Sequence, residues 1–181
     1  MRIRSALLVS LLAVAGPGPG FHARGSEPRT ELYRALVGEW TGTLEYKDYS
    51  NPDRRVTLPT TLSVTWAADS SDVQMYFVYD DGPGKTVTSR DRFVADPPVT
   101  TVEWGGVTDS LPQRFTVVSR TADAATRGQT LVLEGMGEDD DAPALFRETL
   151  TLTATSFTLL KETKPVGGAF GFRHVYQFTR R

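Results

Sequence analysis

From Glu39 onward the chain alternates apolar and polar residues one by one. Trp40, Gly42, Leu44 and Tyr46 share one face, and Thr41, Thr43, Glu45 and Lys47 share the other. A period of two predicts a strand with one buried side. The pattern returns after the turn-forming run Ser50-Asn51-Pro52-Asp53, with Val56, Leu58, Leu62, Val64 and Trp66 on one face. It returns again with Val73, Met75, Phe77 and Tyr79, which end at the hairpin signal Asp80-Asp81-Gly82-Pro83-Gly84. Further strands are predicted over 85–95, 99–104, 114–121, 130–137, 145–154, 156–163 and 171–180. Breaks fall at 96–98, 105–106, 122–128, 138–143 and 165–168.

Ahead of these strands the spacing is helical. Leu32, Tyr33, Leu36 and Val37 form a stripe over 27–37, with Pro28 near the start and Gly38 just past the end. About ten short strands without an intervening long helix imply an antiparallel meander. Closing it removes its edges. The expected fold is all-β: an up-and-down antiparallel barrel of about eight to ten strands with one short N-terminal helix, which packs on the barrel or plugs one end. A barrel of that size has room for side chains and one small ligand.

The first 25 residues stand apart. Arg2 and Arg4 precede the apolar run 6–15, and Ala13-Val14-Ala15 and Ala23-Arg24-Gly25 offer small-residue cleavage sites. This is the pattern of a secretory signal peptide, and the run is too short to span a bilayer. Gly16-Pro17-Gly18-Pro19-Gly20 reads as a flexible leader. The expected organisation is therefore a signal peptide and leader over 1–25 and one barrel domain over 26–181, secreted or periplasmic, with no membrane span in the mature protein.

Charge and composition narrow the chemistry. The chain carries 20 basic and 22 acidic residues, and Arg2, Arg4 and Arg24 fall in the leader, so the mature domain is acidic. An acidic surface with dispersed aromatic residues disfavours nucleic acid as a partner. With no cysteine, disulfides, thiolate metal sites and a cysteine nucleophile are excluded. Glu138-Asp139-Asp140-Asp141 lacks the ligand spacing of a calcium loop and reads as a solvated hairpin. No metal site is expected.

Gly38-Glu39-Trp40, lying between the short helix and the first strand, resembles the opening motif of the calycin superfamily, which includes lipocalins and fatty-acid-binding proteins. The resemblance covers 27–181 as a pattern. It implies that Trp40 closes one end of the barrel and that an arginine of the last strand, here Arg180, packs across the indole ring. Ten strands are closer to the fatty-acid-binding and haem-binding barrels than to the eight of lipocalins.

Three functions follow as expectations. The first is an exported barrel that binds a small apolar or amphipathic molecule. Its wall would be Trp66, Met75, Phe77, Tyr79, Phe115, Phe157, Phe172, Tyr176 and Phe178, with His174 or Glu148 fixing one polar group. The second is a haem-binding or acid–base enzyme centred on His174, the single histidine beyond the leader, with Tyr176 beside it. The third is a packed structural barrel of the cell envelope that takes no ligand. Glu148 shares a face with Phe146, Leu150 and Leu152, and the register alone decides whether that face or the one bearing Thr149 and Thr151 points inward.

Overall fold

A computed structural model of the protein describes residues 27–181, apart from residues 49, 52 and 127. The expected signal peptide, both candidate cleavage sites and the Gly-Pro leader lie outside the described residues, as does Pro52 of the first turn. One helix, α1 (Pro28–Leu36), precedes ten strands. They are β1 (Gly38–Lys47), β2 (Arg55–Trp66), β3 (Val73–Asp80), β4 (Thr86–Ala95), β5 (Thr101–Gly106), β6 (Gln113–Asp123), β7 (Gly128–Asp139), β8 (Ala142–Leu152), β9 (Ser156–Pro165) and β10 (Gly171–Arg180). Each strand pairs antiparallel with its neighbours in sequence, and β1 pairs with β10 to close the barrel.

The alternating apolar faces turn inward, apart from Phe172 at the start of β10. Register aligns Trp40 with Leu62 and Arg180, Leu62 with Phe77, and Leu150 with Leu131 and Leu159. One turn is tighter than the composition implies. The acidic run contributes Glu138 and Asp139 to β7, which leaves Asp140 and Asp141 as a two-residue hairpin turn at φ 52° and 61°. Positive φ at both central residues suits the right-handed twist of the flanking strands, and aspartate tolerates it better than most residues.

The barrel is sealed at the end where α1 lies. Pro28 starts the helix with a preset φ, and Leu32, Tyr33 and Leu36 bury their side chains in the barrel mouth. The Tyr33 hydroxyl accepts a hydrogen bond from the Ala95 amide at 2.8 Å, and its ring meets Trp66 and Phe93 edge-on. Trp40 is fully buried, and its Nε1 donates to the Leu36 carbonyl at 2.8 Å. The Arg180 guanidinium stands 4.1 Å from the Trp40 ring. It also donates to three carbonyls, those of Ala35 at 2.7 Å, Val37 at 2.8 Å and Ala154 at 3.0 Å.

Two glycines make this junction possible. Gly38 has φ 141°, and a Cβ there would lie 2.4 Å from an Arg180 guanidinium nitrogen. At Gly42 a Cβ would fall 1.8 Å from the Gln177 carbonyl oxygen, so only glycine lets β1 and β10 approach at that point.

Replacing Arg180 with Met keeps the aliphatic stem but removes the cation and its donors. The variant is expected to lose about 2–4 kcal/mol of unfolding free energy in urea titration, because it forfeits a cation–π contact and charge-assisted hydrogen bonds at once. A loss below about 0.5 kcal/mol would contradict the role given to this residue.

Candidate functional site

The barrel interior divides into a solid half and a hollow half. Next to α1, Trp40, Leu62, Val64, Val73, Met75, Phe93, Leu131, Leu150 and Phe157 are all essentially inaccessible. Phe157 meets Trp40 edge-on at 5.8 Å, and Phe178 continues the stack from Phe157 to Tyr176. Four residues expected in a ligand wall therefore belong to the packed core. Trp66, Met75, Phe157 and Phe178 fill the sealed half, because their strand positions lie nearer the helix than the opposite rim.

Toward the other rim the interior opens. A cavity of about 410 Å³ is lined by Leu44, Tyr46, Leu58, Tyr79, Val87, Arg173, His174 and Tyr176, with Asp81 at its edge. A second pocket of about 230 Å³ shares His174 and Tyr176 with it and continues along Phe77, Asp91, Trp104, Gln113, Phe115, Phe146, Glu148, Leu159 and Lys161. The Tyr79 and Tyr176 hydroxyls meet at 2.9 Å, which joins β3 to β10 across the interior. Burial pushes the Tyr79 hydroxyl up to about 12 and carries Tyr176 higher still, so both remain neutral donors.

Phe172 is not part of this wall. A register shift between Phe172 and His174 inserts Arg173 as an extra residue in β10, so Phe172 pairs with Glu162 while His174 pairs with Lys161. A β-bulge changes which face each flanking residue presents. Phe172 consequently lies on the outside, under the Arg55 guanidinium at 3.7 Å, and Arg173 reaches the rim, where its Nε lies 3.1 Å from Asp139.

β8 turns Glu148 inward with Phe146, Leu150 and Leu152, and Arg147 outward to Glu134 at 2.7 Å. Glu148 is 5% exposed. Its Oε1 lies 3.4 Å from Lys161 Nζ, and Lys161 in turn stands 4.1 Å from the Phe146 ring. Burial raises the Glu148 carboxyl to about 7 even though Lys161 pulls it back down. Its Oε2 has no hydrogen-bond partner among the described residues. Asp91 also faces the pocket, but both of its oxygens are engaged, one by Ser89 at 2.6 Å and the other by Trp104 Nε1 at 3.2 Å.

His174 packs edge-on against Tyr176 at 5.3 Å. Burial, with Lys161 and Arg173 nearby, lowers its pKa to about 3, so the imidazole is neutral. An efficient general base titrates near the working pH, and His174 lies far below it.

Sequence alternation alone already placed Tyr79, Phe77, Phe115, His174, Tyr176 and Glu148 on inward-capable faces. Lys161 and Asp91 follow the same period-two rule, with Phe157 and Leu159 and with Phe93 respectively. A charged side chain at such a position reads as solvent-facing from the sequence alone. Arg173 could not be found this way, because its position depends on the bulge. Among the described residues no group of three or more His, Asp or Glu side chains is arranged to hold a metal.

An acid whose pKa is higher folded than unfolded contributes stability that is fully present below the unfolded value and is lost as pH rises through the folded one. For Glu148 that window runs from its ordinary 4.5 to about 7. Glu148→Gln is therefore expected to gain stability relative to wild type between pH 4 and pH 8, as read from urea midpoints at each pH. A difference that stays flat across the window would contradict the buried, poorly compensated carboxyl.

No protein-family model and no curated protein sequence matches the chain. Solved structures do. The S-type phycobiliprotein lyase CpeS from Guillardia theta aligns over 84% of this chain and 91% of its own, with TM-score 0.56 and 14% identity. Rv2717c from M. tuberculosis aligns over 85% of this chain and 98% of its own, with TM-score 0.58 and 13% identity. At such identities the likeness speaks for the fold alone: this chain is a closed ten-stranded antiparallel barrel.

Proposed function

We propose that this protein is an exported, calycin-like binding protein that takes a small apolar or amphipathic molecule into the open half of its barrel. One observation carries the reading: a barrel packed solid at one end holds a connected, aromatic-walled recess at the other. A structural barrel has no need of such a recess, and unfilled apolar space costs stability. The volume of the cavity at the open rim, about 410 Å³, falls within the range typical of small-molecule sites. Taken together, this cavity and the adjoining inner pocket follow the usual recipe as well, with apolar and aromatic walls and a few polar groups converging from β4, β8, β9 and β10.

The fold-level likeness to a phycobiliprotein lyase is compatible with a small-molecule role. Export rests on the N-terminal pattern of Arg2, Arg4 and the apolar run that follows. No helix among the described residues is long and apolar enough to cross a membrane. A neutral imidazole on the cavity wall is also the form that ligates haem iron, and His174 supplies one. A Soret band on addition of haemin that disappears in His174→Ala would move the reading to that group.

Native mass spectrometry of the protein from its own host is expected to show a bound small molecule, and an environment-sensitive fluorophore is expected to bind the purified domain. Leu58→Trp places a bulky ring in the open half and should weaken fluorophore binding at least about tenfold, a change of about 1.4 kcal/mol, with little change in melting temperature. Failure of any apolar probe to bind, with no adduct in the native spectrum, would overturn the proposal.

A further inference from the structure

We infer that the inner end of this site selects a neutral hydrogen-bond donor, an alcohol or amide head that donates to Glu148, rather than the carboxylate head of a fatty acid. The inference rests on the ligand-binding reading above and adds the chemical class of the ligand's polar end.

The polar groups of the interior are unequally satisfied. Both cations near the site already face a carboxylate: Lys161 faces Glu148 at 3.4 Å, and Arg173 faces Asp139 at 3.1 Å. Asp91 accepts from Ser89 and Trp104. Of the polar side-chain atoms that line the inner pocket, Glu148 Oε2 is the one that is buried with no partner among the described residues. The other buried, unpartnered oxygen, Asp72 Oδ1, belongs to a residue that lines neither interior cavity.

Leaving a buried acceptor unpaired is costly, and more so when it is charged. A ligand that supplies the missing donor recovers that cost, whereas one that brings only acceptors does not. A second carboxylate beside Glu148 and Asp91 would add repulsion in a poorly screened interior. The final torsion of a glutamate side chain is soft. The carboxyl group can therefore turn Oε2 toward the pocket without moving β8. Around it, Phe77, Trp104, Phe115 and Phe146 supply an apolar collar.

The test is a competition assay at pH 8, above the Glu148 pKa of about 7. A cavity-bound fluorophore is displaced by four ligands with one tail: decanol, decanamide, methyl decanoate and decanoate. For wild type, the alcohol and amide should displace the fluorophore at least about tenfold more tightly than the ester, which only accepts, and than the acid. Glu148→Leu/Lys161→Met removes both charges at nearly constant volume, an exchange that buried ion pairs often tolerate. It should bind all four within about threefold, since the discriminating acceptor is gone.

A measurement on the unmutated protein guards against a variant that fails to fold. The Glu148 carboxyl carbon, followed by NMR in protein labelled at glutamate, should shift on addition of decanol and not of methyl decanoate. Fluorophore binding with no donor preference, or with decanoate the tightest of the four, overturns this inference and leaves the binding site standing. No fluorophore binding at all overturns both.

Discussion

The contact between Arg180 and Trp40 joins the last strand to the first, and the organisation of the interior depends on it. One guanidinium covers the indole face and takes up carbonyls from the end of α1 and from the β8–β9 turn. It therefore holds together the strand seam, the helix and the sealed floor. The carbonyls it satisfies include Ala35 and Val37, at the C-terminal end of α1, where backbone acceptors lack intrahelical donors and a cation is favoured. Gly38 and Gly42 provide the clearance for that approach.

With the floor fixed, the asymmetry of the interior follows from side-chain size and polarity along the strands. Close to α1, large apolar residues meet in register: Trp40 with Leu62, Leu62 with Phe77, and Leu152 with Phe157. Toward the rim the inward positions turn shorter or polar, with Ser89, Asp91, Lys161 and His174 in place of bulky hydrocarbons. Such residues cannot fill the barrel cross-section by packing alone. They instead pair with each other, and they leave space beside the Tyr79–Tyr176 bridge.

Much of the fold was legible in the alternating pattern, because one-sided burial imposes a period of two on every strand and a helical stripe on α1. The inward faces of β1, β2 and β3 could be named residue by residue on that basis. The site was less legible, for reasons that can be located. The Arg173 bulge reverses the face of Phe172 through backbone hydrogen bonding that no side-chain pattern records. Lys161 sits at an inward position but carries a charge, which by itself reads as solvent-facing. Its burial makes sense only with Glu148 on the adjacent strand. How far along the barrel each aromatic residue lies, and hence whether it packs the floor or lines the recess, emerges from the register between strands.

Mapping by NMR where an apolar probe touches the folded protein addresses the central claim most directly. On adding a small solvatochromic naphthalene dye, shifts should concentrate at Leu44, Leu58, Tyr79, Val87, His174 and Tyr176 and leave Leu36, Trp40 and Phe157 undisturbed. Perturbations confined to the outer face or centred on the helix end would contradict a barrel sealed at one end and receptive at the other.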